Sequence, residues 1–139
     1  MIFSKELSRC DERQRVIVSA ENKRKHIAHN NDNSQVFQFR IDGDIEDSGS
    51  SDRRCDYVIE NETKKTLYPI ELKGHNIVHA VEQINDTIQK YSSLFSGYKL
   101  LPRIVCSKAS THNIQTSTVL SFKRKYSTII KENIIDEDI

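Results

Sequence analysis

At 139 residues the chain has the length of one domain able to bury its own core. With 36% hydrophobic and 29% charged residues it is neither disordered nor fibrous in composition. A net charge of +1 excludes a globally basic surface, so any affinity for a polyanion has to come from local patches.

The opening MIFSKELSRCDERQR becomes charged too early for a secretory signal. No apolar run approaches the roughly 18 residues that cross a bilayer, and a cytoplasmic protein without membrane contact is expected. Residues 1–15 suit a short helix or a capped extended segment, from which Glu6, Asp11 or Glu12 could reach a site. Cys10, Cys55 and Cys106 are too scattered for a disulfide framework or a zinc site and are expected to pack. RVIVSA at 15–20 reads as a strand, and AENKRKH as a polar turn leading into HIAHN, which together make a hairpin. Lys23, Arg24 and Lys25 at its tip either touch phosphates or form a solvated turn.

VFQFRID at 36–42 alternates in the manner of a half-buried strand, and GDIEDSGSSDRR after it is a loop. Asp42 closes that strand, either as an acid near a site or as the opening of a turn before Gly43. The stretch CDYVIENETKKTLYPIELK then predicts two strands joined by a polar turn at Asn61 to Lys65. After Gly74, Asn76 is placed to cap a helix. Ile77, Ala80, Val81, Ile84, Ile88, Tyr91 and Phe95 form its apolar stripe. His75 and His79, four apart, allow metal ligation but have no third partner at suggestive spacing. KLLPRIVCS gives an entry segment broken by Pro102 and then a central strand, RIVC, parallel to the Ile70 strand because a helix lies between them. A helix within Thr116 to Tyr126 and a short strand near 128–130 or 134–135 complete the order. Lys108, Lys123, Arg124 and Lys125 either flank a phosphate backbone or form a solvated face.

The chemistry concentrates in the hairpin of Asp56 to Lys73. A turn symmetric about Thr63 and Lys64 sets Asp56 opposite Glu71, and cross-strand Cβ atoms lie about 4.5 to 5.5 Å apart. Two carboxylates at that spacing repel unless a cation sits between them, and Mg²⁺ is held by one or two carboxylates plus waters and substrate phosphates. The strand period of two sets Lys73 beside Glu71. An ammonium there could orient or deprotonate a water, or stabilise charge growing on a phosphate.

These residues resemble the PD-(D/E)XK, or restriction-endonuclease-like, nuclease superfamily, whose signature is an acid on one strand and acid-x-lysine on the next. Asp56 matches the first acid and Glu71-Leu72-Lys73 the second element, while Cys55 stands where the motif's proline would be. The likeness covers roughly residues 36–107. It implies an α/β fold with a central mixed β-sheet flanked by helices, built on a β-β-β-α-β core. It also implies a Mg²⁺ or Mn²⁺ nuclease acting on nucleic acid, DNA first, with Asp56 and Glu71 on the metal, Asp42 as a third acid and Lys73 assisting the water. Gln83 resembles a glutamine that several branches place on this helix near the active site, or else it caps a backbone group. Thr87 occupies the position of the tyrosine in the Gln-x-x-x-Tyr of the RecB-like branch, to which the chain is therefore not assigned. A homodimer is plausible from the resemblance alone. The contrasting expectation is a catalytically inactive module of the same fold that binds nucleic acid or a protein partner. No G-x-S-x-G or phosphate-loop motif occurs.

Overall fold

The computed structural model describes residues 1–49, 52–73, 75–108 and 114–139, without the side chain of Lys73. A 3₁₀ turn at Lys5–Leu7 precedes a hairpin of β1 (Val16–Glu21) and β2 (Arg24–His29). This hairpin is tighter than its composition suggests. Glu21 pairs with Arg24, so only Asn22 and Lys23 make the turn, and Asn22 takes a φ of 55°, a left-handed conformation that asparagine tolerates. Arg24 and Lys25, expected at the tip, are strand residues.

Strands β3 (Val36–Arg40), β4 (Tyr57–Asn61) and β5 (Thr66–Lys73) form an antiparallel meander. Helix α1 (Ile77–Lys90) and the short α2 (Ser92–Phe95) follow, then β6 (Lys99–Leu100) and β7 (Arg103–Cys106), both parallel to β5. After α3 (Ser117–Lys125), β8 (Ile129–Glu132) pairs parallel with β7, and β9 (Ile134–Asp138) pairs parallel with β2. The main sheet runs β3-β4-β5-β7-β8, with β6 beside β5, and a second sheet runs β1-β2-β9. This is the expected α+β architecture with a mixed sheet, and the order β-β-β-α-β is present from β3 to β7. Both strands weighed for the last segment form. No helix among the described residues is long and apolar enough to cross a membrane.

The strand period of two sends neighbouring side chains to opposite faces, and here both faces are covered. On one side Phe37, Phe39, Leu67 and Ile104 pack with Ile77, Ile84, Val119 and Phe122 of the helices. On the other, Val36, Ile59, Ile70, Leu72 and Val105 pack with Ile17, Ala28 and Ile135 of the small sheet. Each such side chain contributes roughly 1.5–3 kcal/mol by leaving water. The expectation that β3 is half-buried is therefore corrected, since Val36 to Phe39 are all buried. Gln38 is tolerated because its amide donates to Val18 O at 2.8 Å and to Ser19 Oγ at 2.9 Å, which satisfies it across the two sheets.

Asn76 caps α1, its Oδ1 accepting from His79 N at 3.0 Å, and Ile77, Ala80, Val81, Ile84 and Ile88 face the sheet. The stripe does not run unbroken to Phe95. Tyr91 leaves the helix at φ −106°, ψ 24°. It is held there by an O–H donated to Glu46 Oε2 at 2.6 Å and by edge-to-face packing on Phe3 at 5.2 Å. Cys10, Cys55 and Cys106 are free thiols, the last two buried.

Candidate functional site

The site is built where β4 begins and β5 nears its end. Tyr57 pairs with Ile70, so the next step along the ladder brings Asp56 beside Glu71. Asp56 N donates to Ile70 O at 3.1 Å, and Asp56 Oδ2 accepts from Leu72 N at 2.8 Å, which fixes the carboxylate against β5. Glu71 is 1% exposed, and its carboxyl group interacts with that of Asp56. The cross-strand pairing inferred from turn symmetry is thus present.

Asp42, Asp56, Glu71, Leu72 and Gln83 line one cleft of roughly 290 Å³ together with Glu21 and Arg24. A smaller hollow continues past Asp42 and Asp56 to Arg40 and Tyr57. Asp42 reaches the cleft because the chain turns sharply after β3. Gly43, at φ +125°, makes that turn, where a Cβ would lie 3.4 Å from Arg40 Nε. Asp42 Oδ1 also accepts from Arg54 Nη2 at 2.9 Å and Nε at 3.3 Å. The buried Arg54 guanidinium donates further to Asp47 O and Asp52 O at 2.7 and 2.8 Å, and so gathers the loop beside the site.

Gln83 arrives from α1. Its Nε2 donates to Arg54 O at 3.1 Å, the backbone-capping role weighed for it, while its buried Oε1 has no hydrogen-bond partner among the described residues. One helical turn on, Thr87 Oγ1 donates to Gln83 O at 2.9 Å and accepts from Cys55 N at 2.8 Å. Thr87 thus ties the segment leading into Asp56 to the helix. Lys73 closes β5 opposite Cys106, and its side chain, like Gly74, lies outside the described residues.

Two members of the cleft were not anticipated from the sequence as site residues: Glu21 as an acid, and Arg24 apart from its basic neighbours. Lys23 and Lys25 are exposed and do not line the cleft. The N-terminal acids are elsewhere. Glu12 accepts from Gln35 Nε2 at 2.6 Å and lines a separate hollow with Asp11, Cys10 and Phe37, while Glu6 is bonded to Ser4. His79 contributes its backbone N–H to the helix cap, and neither it nor His75 lines the cleft.

Burial raises Asp56 above the ordinary aspartate range. The Leu72 amide opposes this, the negative charge of Glu21 adds to it, the interaction with Glu71 opposes it, and the charge of Asp42 adds again. Four carboxylates, those of Glu21, Asp42, Asp56 and Glu71, line the cleft beside Arg24. The donors are hard carboxylate and amide oxygens, which fit a divalent cation of the Mg²⁺ type. No three His, Cys, Asp or Glu side chains among the described residues form a ready-made cage. Mg²⁺ commonly needs only one or two carboxylates, with water and substrate supplying the rest. No protein-family model, curated protein or solved structure matches this chain.

Proposed function

We propose that the protein is a divalent-metal-dependent nuclease that hydrolyses phosphodiester bonds, with DNA as its substrate, in the manner of the PD-(D/E)XK superfamily. The observation that carries this reading is the convergence of Asp42, Asp56, Glu71 and Gln83, from four separate segments, on one cleft. Asp56 and Glu71 would hold Mg²⁺ or Mn²⁺, with Asp42 as a further oxygen donor. Such an ion, when bound, supplies Lewis-acid polarisation of the phosphodiester. Lys73 is assigned the attacking water, which it orients or deprotonates, or the charge that grows on the phosphate. Gln83 Oε1 is a buried acceptor able to orient a donor in the cleft. Asp56 is kept in register by the Leu72 amide, so its carboxylate need not reorganise when a cation arrives.

The test is cleavage of linear, circular, single-stranded and branched DNA by the purified chain with Mg²⁺ or Mn²⁺. Asp56→Asn, Glu71→Gln and Lys73→Ala should each lower the rate by about 10³-fold, the scale of several kcal/mol of charge stabilisation. Undiminished cleavage by any of the three refutes that residue's role. Calorimetric titration with Mn²⁺ separates the contrasting reading of an inactive binding module, which the engagement of Asp42 by Arg54 favours. Heat that depends on both Asp56 and Glu71 supports the nuclease, and its absence supports the module.

A further inference from the structure

We infer that Arg24 is the residue that receives a phosphate of the nucleic acid in this cleft. The inference rests on the nuclease reading and adds a contact that lies outside the acid-and-lysine signature. Arg24 is the first residue of β2 and lines the cleft alongside Glu21, Asp42, Asp56, Glu71 and Gln83. Its Nε is buried and meets no hydrogen-bond partner among the described residues. A guanidinium cannot shed its proton to escape burial, and it carries five donors in a fixed fork. An unmet buried donor is rare enough in folded proteins to call for an explanation, and a small turn of the side chain toward the cleft would give it a ligand oxygen.

Position and chemistry agree. A phosphodiester entering a cleft with four acids is repelled by each, and a fixed cation offsets that repulsion alongside Lys73 and any bound metal. Arginine suits this task because its planar fork matches two phosphate oxygens at once. The strand that carries it is also anchored. Lys25 N donates to Asn133 O at 2.9 Å, and Asn133 N donates to Cys106 O at 2.8 Å. Cys106 ends β7, the strand paired with the Glu71 segment of β5. The backbone beside Arg24 is therefore tied, through two hydrogen bonds, to the strand next to the carboxylates. That linkage provides the preorganisation a phosphate contact needs.

The experiment measures binding of fluorescein-labelled duplex and single-stranded DNA to the full chain by anisotropy, with Ca²⁺ replacing Mg²⁺, across a salt series. Arg24→Gln should weaken binding about tenfold or more and reduce the slope of log affinity against log salt by about 0.9, the signature of one lost phosphate contact. Arg24→Lys should keep the slope and recover only part of the affinity, since it restores charge without the fork. Mn²⁺ affinity, followed by calorimetry, should be unchanged or tighter in Arg24→Gln, because a cation beside the acids has been removed. Wild-type DNA affinity and slope in Arg24→Gln would overturn the inference. So would a parallel fall in Mn²⁺ affinity, which would make Arg24 an organiser of the acids, or a wild-type chain that binds no DNA. If Arg24→Gln does not fold, Arg24→Lys decides, and full wild-type affinity there counts against the fork. Failure here is distinguishable from failure of the nuclease reading. Intact DNA binding by Arg24→Gln alongside Mn²⁺ binding that needs Asp56 and Glu71 sinks only this inference, whereas a wild-type chain that takes up no Mn²⁺ sinks the other.

Discussion

Glu137 and Asp56 are both carboxylates largely withdrawn from water, yet their surroundings drive them in opposite directions. Glu137, on β9, meets His26 Nε2 at 2.8 Å and accepts from Arg103 Nε and Nη2 at 2.7 and 3.0 Å. Burial pushes it up, but the bonds from His26 and Arg103 and their charges outweigh this and hold it at about 2. The Arg103 guanidinium also lies over the Tyr68 ring at 5.5 Å, so the group is packed as well as paired. Asp56 is raised by burial, with Glu21 and Asp42 adding to the shift. Where the chain supplies cations to its buried acids, the result is a clasp between the small sheet and β7. Where acids gather about one another, as Glu21 and Asp42 do about Asp56, the result is a carboxylate whose charge is disfavoured and which a ligand can satisfy.

Breaking the clasp should have the largest effect. Arg103→Ala leaves the half-buried Glu137 without its fork and is expected to destabilise the protein by about 3 kcal/mol, read from the urea midpoint. Replacing both partners with apolar residues of similar volume should recover most of that. A loss below about 1 kcal/mol in the single variant would mean that the pair does not hold the sheets together.

Acid should separate the two sites next. The folded pKa of Glu137 lies below its ordinary value of 4.5. Its contribution, on the order of 3 kcal/mol, is therefore present above pH 4.5 and lost as pH falls toward about 2. Glu137→Gln should flatten the acid limb of a stability-against-pH curve over that window. Asp56 has the opposite sign. Its folded pKa lies above the ordinary 3.8, so it stabilises only in acid, and that stabilisation is lost as pH rises through the folded value. The smallest effect follows at neutral pH. Asp56→Asn should stabilise the metal-free protein by about 0.5–2 kcal/mol, because it removes a charge that burial and the neighbouring acids disfavour, with the Asn oxygen still available to the Leu72 amide. A destabilised variant would show that Asp56 serves the fold and would remove the contrast.

The parts of the fold that were legible in the sequence are those fixed by local chemistry. The Asn61 side chain accepts from Lys64 N at 3.0 Å and Lys65 takes a φ of 53°. That turn sets the register that joins Asp56 to Glu71. The α1 stripe and the Asn76 cap are equally local. What was not legible depends on residues far apart in the chain. Nothing in VFQFRID announces that β1, β2 and β9 will cover its polar side, so β3 reads as half-buried. Arg24 reads as one of three basic turn residues because its neighbourhood is set by Asn133 and β7. His26 is wholly buried, although the polar run AENKRKH around it suggests a solvated turn.

The parallel pairing of β2 with β9 joins partners as distant as His26 and Glu137, 111 positions apart. While the polypeptide is being made, the β2 edge of the early hairpin therefore waits until residues 134–138 have emerged, a long interval of vulnerability to mispairing with other chains. One wall of the cleft is then completed only once β9 is made, so a molecule stalled before that point would carry Asp42, Asp56 and Glu71 without the surface that encloses them.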